Sequence, residues 1–393
     1  MIAVRGANSE DLAVTLDAIA ITASRLSSGA FAGFAREMAA APARPGFRAR
    51  AGIVARDPAQ LAERARKAAT ALREQPRGRR ERPTGTPSAW SCGTGTHAYV
   101  SDGAAGRIAL LFPGLVSTGA EHSAVLTASM ATLGAAERLG LRPRLAVGYS
   151  FGEIAGLAWA GILTYGEAAR LAAHRAEIIR ATPGRATMAR VHASPRTVTG
   201  LCSGTGLAVA VHEGPLQHVL AGPVPDIREL PRRAAELGVT AEVLGTTHPL
   251  HSPAMLPSVA PMRAVVEGLR FSVPRRRLIS TVTGLDVTGS TDLARLVATQ
   301  LSRPALLSGA LALARADADL IVLTARDPAL ARIAGEGGRV PVVQAPLDQR
   351  SGTVPPTALA AFFAAGAIDS VLPFLPPAEG PGQASAGDFA ARA

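Results

Sequence analysis

A serine between two glycines, in Val147-Gly148-Tyr149-Ser150-Phe151-Gly152-Glu153, limits the possible folds more than any other stretch of this chain. It reads G-x-S-x-G. The residues before it, Arg144-Leu145-Ala146-Val147, are short and apolar enough for a buried strand, and Glu153 to Trp159 are good helix formers. A strand, a sharp turn and a helix follow from that order. The turn strains the serine, and the flanking glycines are needed because a Cβ at either place would crowd the strand or the helix. The hydroxyl then sits at a helix N-terminus, where free N–H groups favour a developing oxyanion.

The 393 residues suffice for two or three domains, and 48% hydrophobic with 18% charged residues is a globular balance. The 41 Lys+Arg, of which only Lys67 is lysine, give a formal charge of +11. Those arginines are scattered and aromatics are 4% of the chain, which argues against nucleic-acid binding. A basic face could still receive an acidic partner or a phosphate-bearing substrate. Cys92 and Cys202 are far apart, with no metal-ligand spacing, so neither a disulfide framework nor a metal site is expected. Met1 to Arg5 lacks a signal-peptide pattern and no apolar run approaches a membrane span. The expectation is a soluble cytoplasmic protein in a reducing compartment.

Residues 1–72 alternate strand and helix: a strand at Ile2 to Val4, a helix from about Ser9, a strand over Phe47 to Val54, and a helix opened by Asp57 as N-cap and Pro58. A small α/β domain is predicted there. Residues 73–105, with Arg77, Arg79, Arg80 and Arg82 followed by Pro, Gly, Thr and Ser, read as a solvated loop. A strand at Ile108 to Phe112, a helix over Ser123 to Leu139 and the strand–turn–helix at Ser150 make the alternation of a mainly parallel sheet. Active sites in such sheets lie at the carboxyl ends of the strands.

In the next helix Thr164 and Glu167 form a capping box. Ala168, Leu171, Ala172, Ile178 and Ile179 gather on one side, with Arg175 in the middle of that stripe. A buried arginine must meet an anion, because an unpaired buried charge costs several kcal/mol. Geometry alone favours an internal carboxylate partner; the functional reading is a clamp for a substrate carboxylate, which a guanidinium grips with two parallel bonds.

From Thr187 the order is β-α-β-β-α-β, that of a ferredoxin-like unit over 186–247. His248-Pro249-Leu250-His251-Ser252 follows. Of eight histidines, spacing alone does not say which meets Ser150. His122 at a helix start, His174 on a solvated helix face, and His97, His192, His212 and His218 read as structural or solvent-facing. Further strands are expected within 277–288 and 320–324, then one more strand and an Ala-rich helix near 358–365 within a segment 341–375, and a disordered tail over 376–393.

Taken together these motifs resemble the acyltransferase domain of type I polyketide synthases and its relative, the malonyl-CoA:acyl-carrier-protein transacylase. Phe112-Pro113-Gly114 looks like the start of F-P-G-Q-G-S-Q, Gly148 to Glu153 like G-H-S-x-G-E, Arg175 like the carboxylate-binding arginine, and His248 to Ser252 like H-A-F-H-S. The resemblance covers nearly the whole chain. It implies an α/β-hydrolase-like large subdomain over 106–185 and 248–340, the ferredoxin-like small subdomain inserted in it, the preceding linker-type domain, and a wrap-back over 341–375. It also implies a Ser150–His251 dyad whose histidine is oriented by a backbone carbonyl, and an oxyanion site between the N–H groups of Leu115 and Phe151. Arg175 would hold the carboxylate, with Tyr149 and His248 near the acyl group, and no cofactor would be used. The donor would be malonyl-CoA and the acceptor an acyl carrier protein, with a ketosynthase or other synthase domains as further partners. Thr281 stands where the family has an asparagine near the base, and would act only through its carbonyl. A short segment after Gly114 motivates a second reading, a non-catalytic docking module; a third is an ester or thioester hydrolase, for which Arg175 would have no anion.

Overall fold

The computed structural model describes residues 1–41, 46–74, 89–91, 98–101, 106–114, 122–182, 186–246, 248–336, 340–347 and 353–375. Leu115, the arginines at 77–82 and the tail from 376 lie outside them. Contacts divide the chain into two compact units, 107–354 and the remainder.

The smaller unit begins with β1 (Ile2–Gly6), α1 (Ser9–Ala23), α2 (Ser28–Ala40), β2 (Ala49–Ile53) and α3 (Pro58–Arg73). Asn8 caps α1 by accepting from the N–H groups of Glu10 and Asp11, and Asp57 caps α3 ahead of Pro58. Leu12 and Leu16 of α1 meet Leu61, Ala65 and Ala68 of α3 in a core closed by Ile2, Val4 and Ile53. Each buried aliphatic of this size contributes roughly 1.5–3 kcal/mol. Two features differ from the expectation. The stretch Ser28–Ala40 forms a helix of its own, and within the expected loop β3 (Ala89–Ser91) and β4 (Ala98–Ser101) complete an antiparallel sheet in the order β1-β2-β4-β3. Short strands like these draw their stability from the sheet edge they join, which a composition rich in Gly, Pro and Ser does not advertise.

The larger unit carries β5 (Ile108–Phe112), α4 (His122–Arg138), β6 (Leu145–Gly148), α5 (Gly152–Trp159) and α6 (Tyr165–Ala181). Next comes the insertion β7 (Ala186–His192), α7 (Pro195–Cys202), β8 (Ala208–Gly214), β9 (Gln217–Pro223), α8 (Val224–Glu236) and β10 (Thr240–Leu244). The large fold resumes with α9 (Val259–Glu267), β11 (Arg277–Ser280), α10 (Leu293–Thr299), α11 (Leu307–Asp317), β12 (Leu320–Leu323), α12 (Pro328–Gly335) and β13 (Val342–Gln344). Its sheet runs β11-β6-β5-β12-β13 with every pairing parallel. All five residues of β5 are buried, as required of a strand covered on both faces. Only 277–280 of the expected 277–288 stretch is strand; the chain turns back there and bridges Ile279 to Asp286.

The inserted sheet has the order β10-β7-β9-β8, all antiparallel, which is the ferredoxin-like arrangement. One of its faces packs on α7 and α8 through Ala189, Val191 and Leu220. The other contributes Met188, Val219 and Ala221 to one core cluster that runs through Leu307, Ala310 and Leu311 of α11 to Leu111, Val147 and Ile279 of the parallel sheet. β8 is stitched to the chain before α11 by Ala305 N–H to the Ala210 carbonyl and His212 N–H to the Ala305 carbonyl, at 2.8 and 2.9 Å. In the 341–375 segment β13 belongs to the larger unit, while α13 (Pro356–Ala364) packs on β2 and β4 in the smaller.

Candidate active site

Gly148, the last residue of β6, lies in register with Phe112 of β5 and Ser280 of β11, so three strands end together beneath Ser150. Tyr149 N–H holds the Phe112 carbonyl at 3.0 Å, and the chain reverses into α5. Ser150 adopts φ +53°, and the one other described non-glycine residue with positive φ is His251, at +62°. Such conformations cost about 1–3 kcal/mol each and persist where the surroundings over-determine them. A Cβ on Gly152 would run into the Phe112 carbonyl oxygen, and one on Gly148 would lie 2.7 Å from Glu153 Cα. The turn is therefore closed to side chains at both glycines. The N–H groups of Gly152, Glu153 and Ile154 bond back to the carbonyls of Tyr149, Ser150 and Phe151, whereas the Phe151 N–H takes no such bond.

Glu153 anchors the turn from beneath. Its carboxylate accepts from the Ser280 hydroxyl, the Thr281 hydroxyl and the N–H groups of Thr281 and Val282. Complete burial nevertheless pushes its pKa up to about 7.

The loop after β10 delivers His251. Its backbone N–H is held by the Leu301 carbonyl at 2.7 Å and its Nδ1 lies 3.0 Å from the Gln300 carbonyl. A carbonyl can only accept, so Nδ1 carries the hydrogen and the lone pair of Nε2 faces the Ser150 hydroxyl, 2.7 Å away. Burial, and secondarily the charge of Arg175, lowers the His251 pKa to about 4. At neutral pH this imidazole is an unprotonated acceptor. Thr281 does not fill the role expected of its carbonyl, which accepts from Leu306 N–H. Its hydroxyl shares its one hydrogen between Glu153 and the Gly148 carbonyl instead, and the orienting carbonyl comes from Gln300.

Arg175 is fully buried, with 0% exposure, and meets no carboxylate among the described residues. Among the described residues, the internal ion pair that geometry favoured from sequence is absent. Nε donates to Gln300 Oε1 at 3.0 Å, NH1 lies 3.0 Å from His122 Nε2, and NH2 is buried with no partner among the described residues. The guanidinium lies over the Phe151 ring, 5.6 Å from its centre. With no anion to compensate, burial lowers its pKa to about 9. Gln300 ties the parts together, since its Nε2 donates to the Ser150 carbonyl at 2.9 Å.

Tyr149 packs its ring against the core beside the Arg190–Glu213 ion pair of the inserted sheet. Burial first, and Glu213 second, raise its pKa, so its hydroxyl stays protonated and can donate. His248 is half-buried three residues before His251. The arrangement thus joins Ser150, His251, Phe151 and Arg175, with Tyr149 adjoining. Sequence reasoning missed Gln300 and His122. A glutamine between Thr299 and Leu301 carries no spacing to residue 251, and His122 reads as an ordinary helix start. Among the described residues no cluster of His, Cys, Asp and Glu could hold a metal ion, and no helix is long and apolar enough to cross a membrane.

Comparison with known proteins bears on this geometry. The chain matches the family described as acyl transferase domain over residues 48–340. It is 33% identical over 172 residues to polyketide synthase GfsA of Streptomyces halstedii, which covers 43% of this chain and 2% of that protein. It is also 33% identical over 141 residues to 6-methylsalicylic acid synthase of Aspergillus niger, 35% of this chain and 8% of the synthase. The chain therefore spans a small fraction of the curated relatives it matches. Among solved structures it is similar to the acyltransferase domain of the iterative polyketide synthase in enediyne biosynthesis, at 29% identity and TM-score 0.78, covering 95% of this chain and 98% of that one. The malonyl CoA-acyl carrier protein transacylase of Coxiella burnetii, at 18% identity and TM-score 0.57 over 61% of this chain and 94% of its own, shares the fold.

Proposed function

This chain belongs to the acyltransferase domain family, and from that premise we propose that it moves a malonyl unit from coenzyme A to the phosphopantetheine thiol of an acyl carrier protein. In the first half-reaction Ser150 Oγ attacks the thioester carbonyl carbon while its proton passes to His251 Nε2. The Gln300 carbonyl holds Nδ1–H and favours the imidazolium that forms. The oxyanion collects at the N–H group of Phe151, at the start of α5. As the C–S bond breaks, His251 returns its proton to the departing thiol, leaving acyl-Ser150. In the second half the carrier thiol gives its proton to His251 and attacks the acyl carbon. Ser150 takes the proton back as it leaves, and the cycle closes without a cofactor.

A single observation carries the choice of a carboxylated acyl group: Arg175 is entirely buried beside this pair and, among the described residues, bound only to neutral acceptors, with NH2 unsatisfied. A folded chain bears such a charge when an anion comes to it. An acetyl group brings none.

Intact-protein mass spectrometry after brief incubation with malonyl-CoA or acetyl-CoA tests this. One malonyl adduct is expected, absent in Ser150→Ala and strongly reduced in Arg175→Ala. Release of free coenzyme A with no adduct would replace the transferase with a hydrolase. Neither adduct nor release would leave a docking module.

A further inference from the structure

The free edge of the Arg175 guanidinium owes its placement to a residue outside the Ser–His pair. A guanidinium has five N–H donors and no acceptor. One donor goes to Gln300 Oε1 through Nε and one to His122 Nε2 through NH1. His122 therefore presents a lone pair to Arg175 and must be neutral, with its hydrogen on Nδ1. Burial first, and then the charges of Arg175 and Arg180 on α6, lower its pKa to about 4, so the lone pair is present at neutral pH. The His122 ring meets Phe151 edge-on, centres 5.1 Å apart and planes at 88°, and Phe151 in turn lies beneath the guanidinium. Three neighbours on three elements thus determine the plane of one cation: Gln300 after α10, His122 at the start of α4, and Phe151 at the turn into α5.

We infer that His122 is a positioning residue that locks the Arg175 guanidinium, leaving NH2 and the second NH1 hydrogen for an incoming carboxylate, and so sets the preference for carboxylated over neutral acyl groups. Without the lock NH1 can turn to other acceptors, and the paired geometry that a carboxylate needs is lost. A neutral acyl group does not use that edge and is indifferent to it. The inference rests on the reading of Arg175 as a carboxylate clamp.

Three substitutions test it, read as kcat/KM for Ser150 acylation by malonyl-CoA and by acetyl-CoA, with a thermal midpoint for each protein. His122→Ala is expected to lower the malonyl value roughly tenfold or more and to leave the acetyl value within about threefold. His122→Gln supplies an amide oxygen as acceptor and is expected to restore malonyl to within about threefold. His122→Glu supplies a carboxylate that captures Arg175 itself, and is expected to abolish malonyl loading while sparing acetyl. An unchanged malonyl-to-acetyl ratio in His122→Ala, or an equal fall of both with a lower midpoint, overturns the inference. Should the wild type accept no malonyl, the clamp reading fails by itself. Nitrogen NMR of the Arg175 side chain then decides the inference: slow guanidinium rotation in wild type and His122→Gln but fast rotation in His122→Ala supports it, and no difference sinks it.

Discussion

Replacing Arg175 with methionine should make the protein more stable and less able to take malonyl, and the two signs together separate a clamp from a structural arginine. Burial holds the Arg175 pKa at about 9 against 12.5 for a free guanidinium. At about 1.4 kcal/mol per pH unit, keeping the charge inside costs about 5 kcal/mol at neutral pH. Methionine of similar length removes that cost. It also strips one donor from Gln300 Oε1 and one from His122 Nε2, about 1–2 kcal/mol each. Gln300 is buried, whereas His122 is half-exposed and can turn to water. The balance is a gain of about 2 kcal/mol, or roughly 5 °C in midpoint. Because the folded-state pKa is the lower one, the gain holds at every pH below about 9 and fades above it, where the buried arginine sheds its proton. Urea or thermal unfolding gives the stability, and mass spectrometry with malonyl-CoA and acetyl-CoA gives the loading. Removing an arginine that holds the fold together would instead destabilise it by about 3–5 kcal/mol. That result, with malonyl loading intact, would refute the reasoning.

Further tests concern the turn and its protons. Acylation of Ser150 should keep its rate down to a limb near pH 4, since the base is unprotonated above that value; a limb near 6.5 would remove His251 from the role. The unfolded chain protonates His251 first, so this residue costs about 3 kcal/mol of stability as pH falls from 6.5 to 4. Glu153 acts oppositely: folded, it keeps its proton to about 7, so stability declines as pH rises from 4.5 to 7. His122, lowered likewise to about 4, adds a second slope of the His251 kind, so between 4.5 and 6.5 Glu153 offsets one of the two in wild type. Glu153→Gln should therefore steepen the rise of stability with pH in urea melts across that range; an unchanged profile in the variant would contradict the Glu153 assignment. Gly152→Ala places a methyl against the Phe112 carbonyl, and is expected to slow acylation by at least about a hundredfold or cost about 3 kcal/mol or more in urea unfolding. Wild-type behaviour would mean the turn is not closed as described.

Much of the fold was readable because it depends on local order. β5 and β6 announce themselves as apolar runs, and α6 begins at a capping box that forms as spaced. The strand and helix order of the insertion is enough to expect its sheet. Among the elements that escaped, which include α10, α11 and α12, the segments α2, β3 and β4 carry weak intrinsic signals and form because a sheet edge or a neighbouring helix receives them.

At the site the division is sharper. Sequence by itself determined that Ser150 occupies a turn closed to side chains, because a glycine's missing Cβ is a local property. It also placed Arg175 on the apolar side of α6, because helical period is local too. What stands opposite a buried charge is not local. The carboxylate partner expected for Arg175 proved to be Gln300, 125 positions away, and His122, 53 positions away, both neutral. The carbonyl that orients His251 comes from Gln300 and not from Thr281. Only the packing of α4, α6 and α10 around the ends of the parallel strands decides those pairings, since a hydrogen bond across such distances in sequence depends on positions that no spacing encodes.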